Sequence, residues 1–169
     1  MADVDRTTED AKAQMFDQLS EVKAGMLGVP GSGQHMQPMT PYFDRDEGVI
    51  WFITSRDTDL VQAVGLGATA HFTFIGKNDD YYACMRGQME QVEDDAKIDE
   101  IWNAVAAAWF EEGREDHEVT LLKFALRDAS VWSTPRNPIT FGFEIARANM
   151  TEDTPHMGAH RVLEWRNAA

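Results

Sequence analysis

Between residues 23 and 54 three apolar runs follow one another with only turns between them. KAGMLGV (23–29) leads into PGSG, QHMQPMTPYF (34–43) into DRDEG, and VIWFIT (49–54) closes the series. A crossover between parallel strands needs a dozen or more residues, so spacing this tight demands antiparallel pairing. VIWFIT is β-branched and aromatic, the composition that suits a half-buried pleated surface. The pattern returns in ATAHFTFI (68–75), the turn GKNDD, and DYYACMRGQMEQV (80–92), where Gly87 signals a bulge or a close backbone approach. VTLLKFALRDASVW (119–132) reads as a strand pair or as one long strand. The expected architecture is mainly β: six or seven antiparallel strands in a barrel or highly curved sheet, with three or four helices outside it.

The helices announce themselves by capping residues and period. Thr7, Thr8, Glu9 and Asp10 look like a helix start, and Met15, Phe16, Leu19 and Val22 recur at helical spacing. SRDTDLVQAV (55–64) predicts a short helix capped by Ser55 or Asp57, with Leu60, Val61 and Val64 inward and Gly65 and Gly67 at its end. Asp94 and Asp95 open the longest helical stretch, with Ile98, Ile101, Trp102, Val105, Ala108 and Trp109 on one face and EEGRED closing it. Such aromatics at helical spacing are ordinarily core, although Trp109 and Phe110 at the helix end are well placed for an interface. Pro135 and Pro138 break the chain, 141–148 predicts a final helix, and 151–169 reads as a poorly ordered polar tail. Residues 1–150 are expected to form one domain.

Charge narrows the partners. The chain carries 29 acidic and 15 Lys or Arg side chains, a formal net charge of −14. A surface this acidic repels nucleic acid and anionic membranes. No apolar run of about 18 residues predicts a membrane span, and the polar start MADVDRTTED lacks a signal peptide's apolar stretch. Cys84, the only cysteine, forms no intrachain disulfide and reads as a small buried side chain; a reducing, cytoplasmic setting is expected. His156 and His160 stand four apart but in the polar tail around Gly158, so no metal site is expected there. No Ser/His/Asp or Cys/His nucleophile pattern is present, and Glu93, Asp94 and Asp95 read as a solvated helix start.

One arrangement points to ligand chemistry. Thr54 and Ser55 end a strand just before a helix N-terminus, where free backbone N–H groups favour an anion. Taken alone, a capping Ser55 is the simpler explanation.

The ordered set of segments adds to this. Pro38-Met39, then Ile50-Trp51-Phe52-Ile53-Thr54 and a short helix, resembles the flavin-binding split barrels related to pyridoxamine 5′-phosphate oxidase, and within them the bacterial general stress protein branch. YACMRGQMEQVEDDAKIDEIWNAVAAAWF (82–110) and LLKFALRDASVW (121–132) are similar to later segments of that branch, so the likeness covers roughly residues 11 to 133. The resemblance implies a split β-barrel homodimer with two FMN sites at the subunit interface. It implies phosphate near Thr54, Ser55, Thr58 and Asp59, the last two through backbone, and the ring edge along Met36, Gln37, Pro38 and Met39. Trp51 and Phe52 alternate in direction, so one of them is expected to face the pocket and the other the core. Trp102, Trp109 or Trp132 would cover the ring from the partner subunit. Many relatives carry Arg and Lys where this chain has Gln37 and Leu60; Arg56 is the available substitute. Two functions follow as expectations: a flavoprotein with small-molecule oxidoreductase chemistry and no assignable catalytic residue, or a split-barrel dimer with weak or no cofactor binding that serves as a stress-related binding or sensor protein. FAD, haem or a deazaflavin in the same groove is a further alternative to FMN.

Overall fold

The computed structural model describes residues 2–134, 147, 150 and 158–165. They fall into two compact units, one within Met1–Val22, Thr73–Cys84 and Ala129–Glu164, the other within Lys23–Phe72, Met85–Asp128 and Trp165–Ala169. Residue 147 apart, the helix expected over 141–148 lies outside the described residues, as do Pro135, Pro138 and His156.

The sheet runs β1 (Gly25–Gly28), β2 (Gln37–Met39), β3 (Tyr42–Asp44), β4 (Val49–Ser55), β5 (Ala68–Ile75), β6 (Tyr81–Val92) and β7 (Val119–Ser133) in chain order. In space the order is β2-β1-β5-β6-β7-β4-β3, with β8 (Ala159–Glu164) pairing β7 off that path. β1 meets β2 antiparallel with Gly25 opposite Met39, and β3 meets β4 with Tyr42 opposite Trp51. β4 pairs β7 along its whole length, from Val49 opposite Ala125 to Ser55 opposite Val119. The two ends of the sheet, β2 and β3, are thus joined by Thr40 and Pro41 alone. Two sheet edges that close in sequence can be neighbours only if the sheet rolls up. The result is a mainly antiparallel split barrel with flanking helices, the architecture expected from the turn spacing. The single run expected over 34–43 is divided into β2 and β3 by Pro41, which has no N–H to give a ladder.

Burial explains the strands. β5 and β6 alternate inward and outward residues, as a sheet with one solvated face requires. β4 is buried on both faces from Val49 to Phe52. Trp51 packs with Val49, Ile98, Val119 and Leu121. Phe52 points the other way, its ring 5.2 Å from Phe72 and 6.5 Å from Phe124. Gly87 is a close approach: a Cβ there would overlap the Ala125 carbonyl oxygen.

The helices depart from expectation in three places. The N-terminal helix is two, α1 (Val4–Glu9) and α2 (Ala11–Ser20). Asp3 caps α1, and Thr7 is inside it and buried, its hydroxyl 2.8 Å from Ser133 Oγ. The short helix α3 (Asp59–Val64) is capped by Thr58 rather than by Ser55 or Asp57; Thr58 Oγ1 accepts from the Val61 N–H at 3.3 Å. The long helix is interrupted. α4 (Asp95–Ile101) ends at Trp102, and α5 (Ala104–Ala107) starts afresh behind Asn103, whose side chain accepts from the N–H groups of Val105 and Ala106. A side chain that competes for its neighbours' amides favours a new start over a continuing helix.

Part of the expected tail is ordered as β8. The Glu164 carbonyl accepts from Lys12 Nζ, and His160 stacks on Trp132 with ring centroids 5.0 Å apart. Among the described residues no helix is long and apolar enough to cross a membrane, and no group of His, Cys, Asp and Glu is arranged to hold a metal.

Candidate functional site

A cavity of about 470 Å³ opens in the second unit, where the two sheet edges meet. Its size is that of a small-molecule site. Lys23 and Ala24 reach it from the start of β1, and Pro38, Met39, Thr40 and Tyr42 from the β2–β3 junction. Ile53, Thr54, Ser55 and Thr58 contribute the end of β4 and the entry to α3, and Val105, Ala106, Trp109 and Phe110 form the α5 wall. β2 and β3 are terminal strands, so each leaves one backbone edge unpaired for a ligand.

The α5 wall follows from the Asn103 break. Asn103 Nδ2 also donates to Tyr42 Oη at 3.0 Å, fixing the break against β3. The restart leaves Val105 58% and Trp109 81% exposed, where an unbroken helix would have laid both on the core. Phe110 is backed by Trp102, ring centroids 5.8 Å apart. Trp102 therefore packs with the Trp51 cluster as core rather than against a ligand.

The hydroxyls divide into committed and available ones. Ser55 Oγ donates to Asp57 Oδ1 at 2.7 Å, with Glu118 Oε2 at 3.5 Å. Thr58 Oγ1 caps α3 and donates to the Ser55 carbonyl at 3.1 Å. The hydroxyls of Thr40 and Thr54 have no hydrogen-bond partner among the described residues, although the Thr54 backbone lies in the β4–β7 ladder.

The sequence-derived candidates separate on this geometry. Pro38, Met39, Ile53, Thr54, Ser55, Thr58 and Trp109 come together around the cavity. Trp51 and Phe52 do not: one of the two was expected to face the pocket, but α4 covers the Trp51 face and Phe72 and Phe124 the other. Leu60 is 3% exposed and packs inward from α3 with Val61 and Val64. Met36 lies over Gly28 on β1, while Gln37 and Asp59 are outside the lining. Trp132 stacks on His160 in the first unit. Arg56, the expected substitute cation, turns away: its Nε donates to the His117 carbonyl at 3.0 Å. Lys23, Ala24, Thr40, Tyr42, Val105, Ala106 and Phe110 line the cavity without having been anticipated. The exposed aromatic end of the helix was the one sequence signal for that wall.

A mainly antiparallel split barrel, with a cavity between its unpaired strand edges and the aromatic residues that follow α5, defines the class of split β-barrel proteins. The family described as pyridoxamine 5′-phosphate oxidase like matches residues 10–156, and the chain belongs to it. Among solved structures, a candidate general stress protein 26 from Jannaschia sp. CCS1 is 36% identical, covering 93% of this chain and 99% of that one, with a TM-score of 0.75. The general stress FMN/FAD binding protein of Xanthomonas citri is 31% identical over 78% of this chain and 93% of its own, with a TM-score of 0.68. A search of curated proteins finds no match. The general stress branch anticipated from residues 11 to 133 is therefore where the chain belongs.

Proposed function

We propose that this chain is a flavin-binding protein of the general stress type, with FMN in the cavity at the β2–β3 junction. The observation that carries this is the pairing of an unpaired strand edge at Pro38–Thr40 with a facing aromatic wall, Trp109 and Phe110. A flat heteroaromatic ring wants both: backbone groups for its edge and apolar surface for its faces. The Xanthomonas citri relative, described as FMN/FAD binding, supports the same reading, and FAD is the natural alternative ligand.

The residues present fit the ring better than they fit a phosphate. Thr54, the N–H groups at the start of α3 and the Thr58 turn would hold the phosphate; Asp57 opposes it. When bound, a flavin supplies hydride or single-electron transfer, and the protein's share is binding, orientation and exclusion of water. Small-molecule redox chemistry is the corresponding activity. The exposed Trp109 and Val105 beside the cavity favour a second copy of the chain covering the site, that is, a homodimer. Sedimentation of the purified protein tests that part directly.

The absorption spectrum of freshly purified protein, followed by calorimetric titration with FMN and riboflavin, tests the main claim. Flavin bands or micromolar binding are expected; no binding of either compound at that concentration rejects it. Thr54→Ala should weaken FMN more than riboflavin, and equal losses would remove Thr54 from the phosphate site.

A second reading has its own observation. With Ser55 committed to Asp57, Gln37 outside the lining, Leu60 buried and Arg56 turned to the His117 carbonyl, the β4–α3 turn offers a phosphate no cation of its own. A split-barrel protein with weak cofactor binding and a sensing or binding role would look like this. It predicts riboflavin affinity equal to or above that for FMN.

A further inference from the structure

We propose that Lys23 is the residue that recognises the anionic group of whatever occupies the β2–β3 cavity, so that the site selects flat apolar molecules carrying a negative charge. This rests on the cavity being the ligand site but not on the ligand being a flavin.

Every other residue lining the cavity is apolar or carries only a hydroxyl; Lys23 is the one charged side chain among them. It sits two residues before β1. Continuing the Gly25–Met39 register sets it opposite Pro41, at the tether between the two sheet edges. Lys23 has no ion pair or hydrogen bond among the described residues. Lys23 is exposed, so its place at the cavity, rather than the missing partner, sets it apart in a chain where acids outnumber cations by 29 to 15. Arg6, Arg86, Lys97 and Arg114 are each paired with carboxylates, at 2.5–3.0 Å. An ammonium left unpaired at an apolar cavity, in a protein of net charge −14, is the one full positive charge in the lining to attract an anion there. Its flexible stem lets the charge follow the ligand while the methylenes stay on the rim.

Two ligands share this chemistry: the phosphate of a bound flavin, and the carboxylate or phosphate of a second small molecule lying against the flavin. Four probes separate them: FMN, riboflavin, the anionic dye 8-anilinonaphthalene-1-sulfonate and the neutral dye N-phenyl-1-naphthylamine. Lys23→Gln should weaken the anionic dye about five- to tenfold and leave the neutral dye within about twofold, with Lys23→Arg restoring the anionic one. If FMN weakens more than riboflavin in parallel, the anion is the flavin phosphate. If both flavins hold while the anionic dye weakens, the anion belongs to the second molecule. Equal effects on the anionic and neutral dyes, or none, overturn the proposal. Wild-type protein that binds neither flavin rejects the flavin reading alone, because the dye pair still decides the role of Lys23.

Discussion

The Ser55 hydroxyl is held by the Asp57 carboxylate at 2.7 Å, just where β4 hands over to α3. The hydrogen bond consumes the donor that a phosphate would need and adds a negative charge beside its place. Asp57→Ala removes both effects. FMN affinity should rise about three- to tenfold while riboflavin changes by less than about twofold, because the charge is solvent-screened but close. Paired titrations of the two flavins measure this; an equal rise for both would mean that Asp57 acts on the ring and not on the phosphate.

Trp109 is 81% exposed, so its removal takes little from folding. Trp109→Ala should change the folding stability of the single chain by less than about 0.5 kcal/mol, apart from any loss of subunit association. It should weaken a planar ligand by about 1–2 kcal/mol, roughly five- to thirtyfold, through loss of the aromatic wall. Urea denaturation and ligand titration on the same preparation separate the two quantities. Unaltered affinity would exclude Trp109 from the binding surface.

Gly87 has no room for a side chain beneath the Ala125 carbonyl. Gly87→Ala must push β6 away from a neighbour's backbone, which has no rotamer to yield. A loss of roughly 2–3 kcal/mol is expected. Thermal unfolding reports it, and an unshifted midpoint would contradict the close approach.

Tyr81 is fully buried, and its hydroxyl lacks a hydrogen-bond partner among the described residues. Burial pushes its pKa well above the ordinary phenol value, with the Arg6 charge opposing. The folded protein therefore keeps a proton that the unfolded chain has released, so stability is level below pH about 10 and falls as pH rises beyond it. Tyr81→Phe should flatten that alkaline decline. At neutral pH it should cost nothing or stabilise by up to about 1 kcal/mol, since it removes an unsatisfied polar group. Urea midpoints between pH 8 and 11 check both; parallel declines in the two proteins would assign the alkaline slope to other groups.

The strands of the barrel were legible because their limits are written in turn residues: PGSG, DRDEG and GKNDD bound them whatever the tertiary context. The helices were less so. An apolar period from Ile98 to Trp109 promises one helix, yet Asn103 ends it through its side chain, and that choice alone turns Val105 and Trp109 outward. Alternation gives the opposite directions of Trp51 and Phe52 without saying what covers each face; α4 and Phe72 come from remote sequence. β8 was missed because HRVLE is too short and too charged to show a period. Half the cavity was found through the family resemblance and strand order. Lys23 escaped because nothing in its flanking residues distinguishes it from a solvated lysine; only the folding of β1 alongside the tether gives it a place.

Met39 and Tyr42 are bridged by Thr40 and Pro41 alone, so the separation of the two strand edges is capped covalently at ~11 Å. The girth of the cavity on that side is a matter of bond lengths, which no guest can stretch. Accommodation of bulkier molecules falls instead to the four-residue α5, anchored by a single amide side chain. Engineering a wider specificity should begin there, and lengthening the Thr40–Pro41 junction would release both edges in one step.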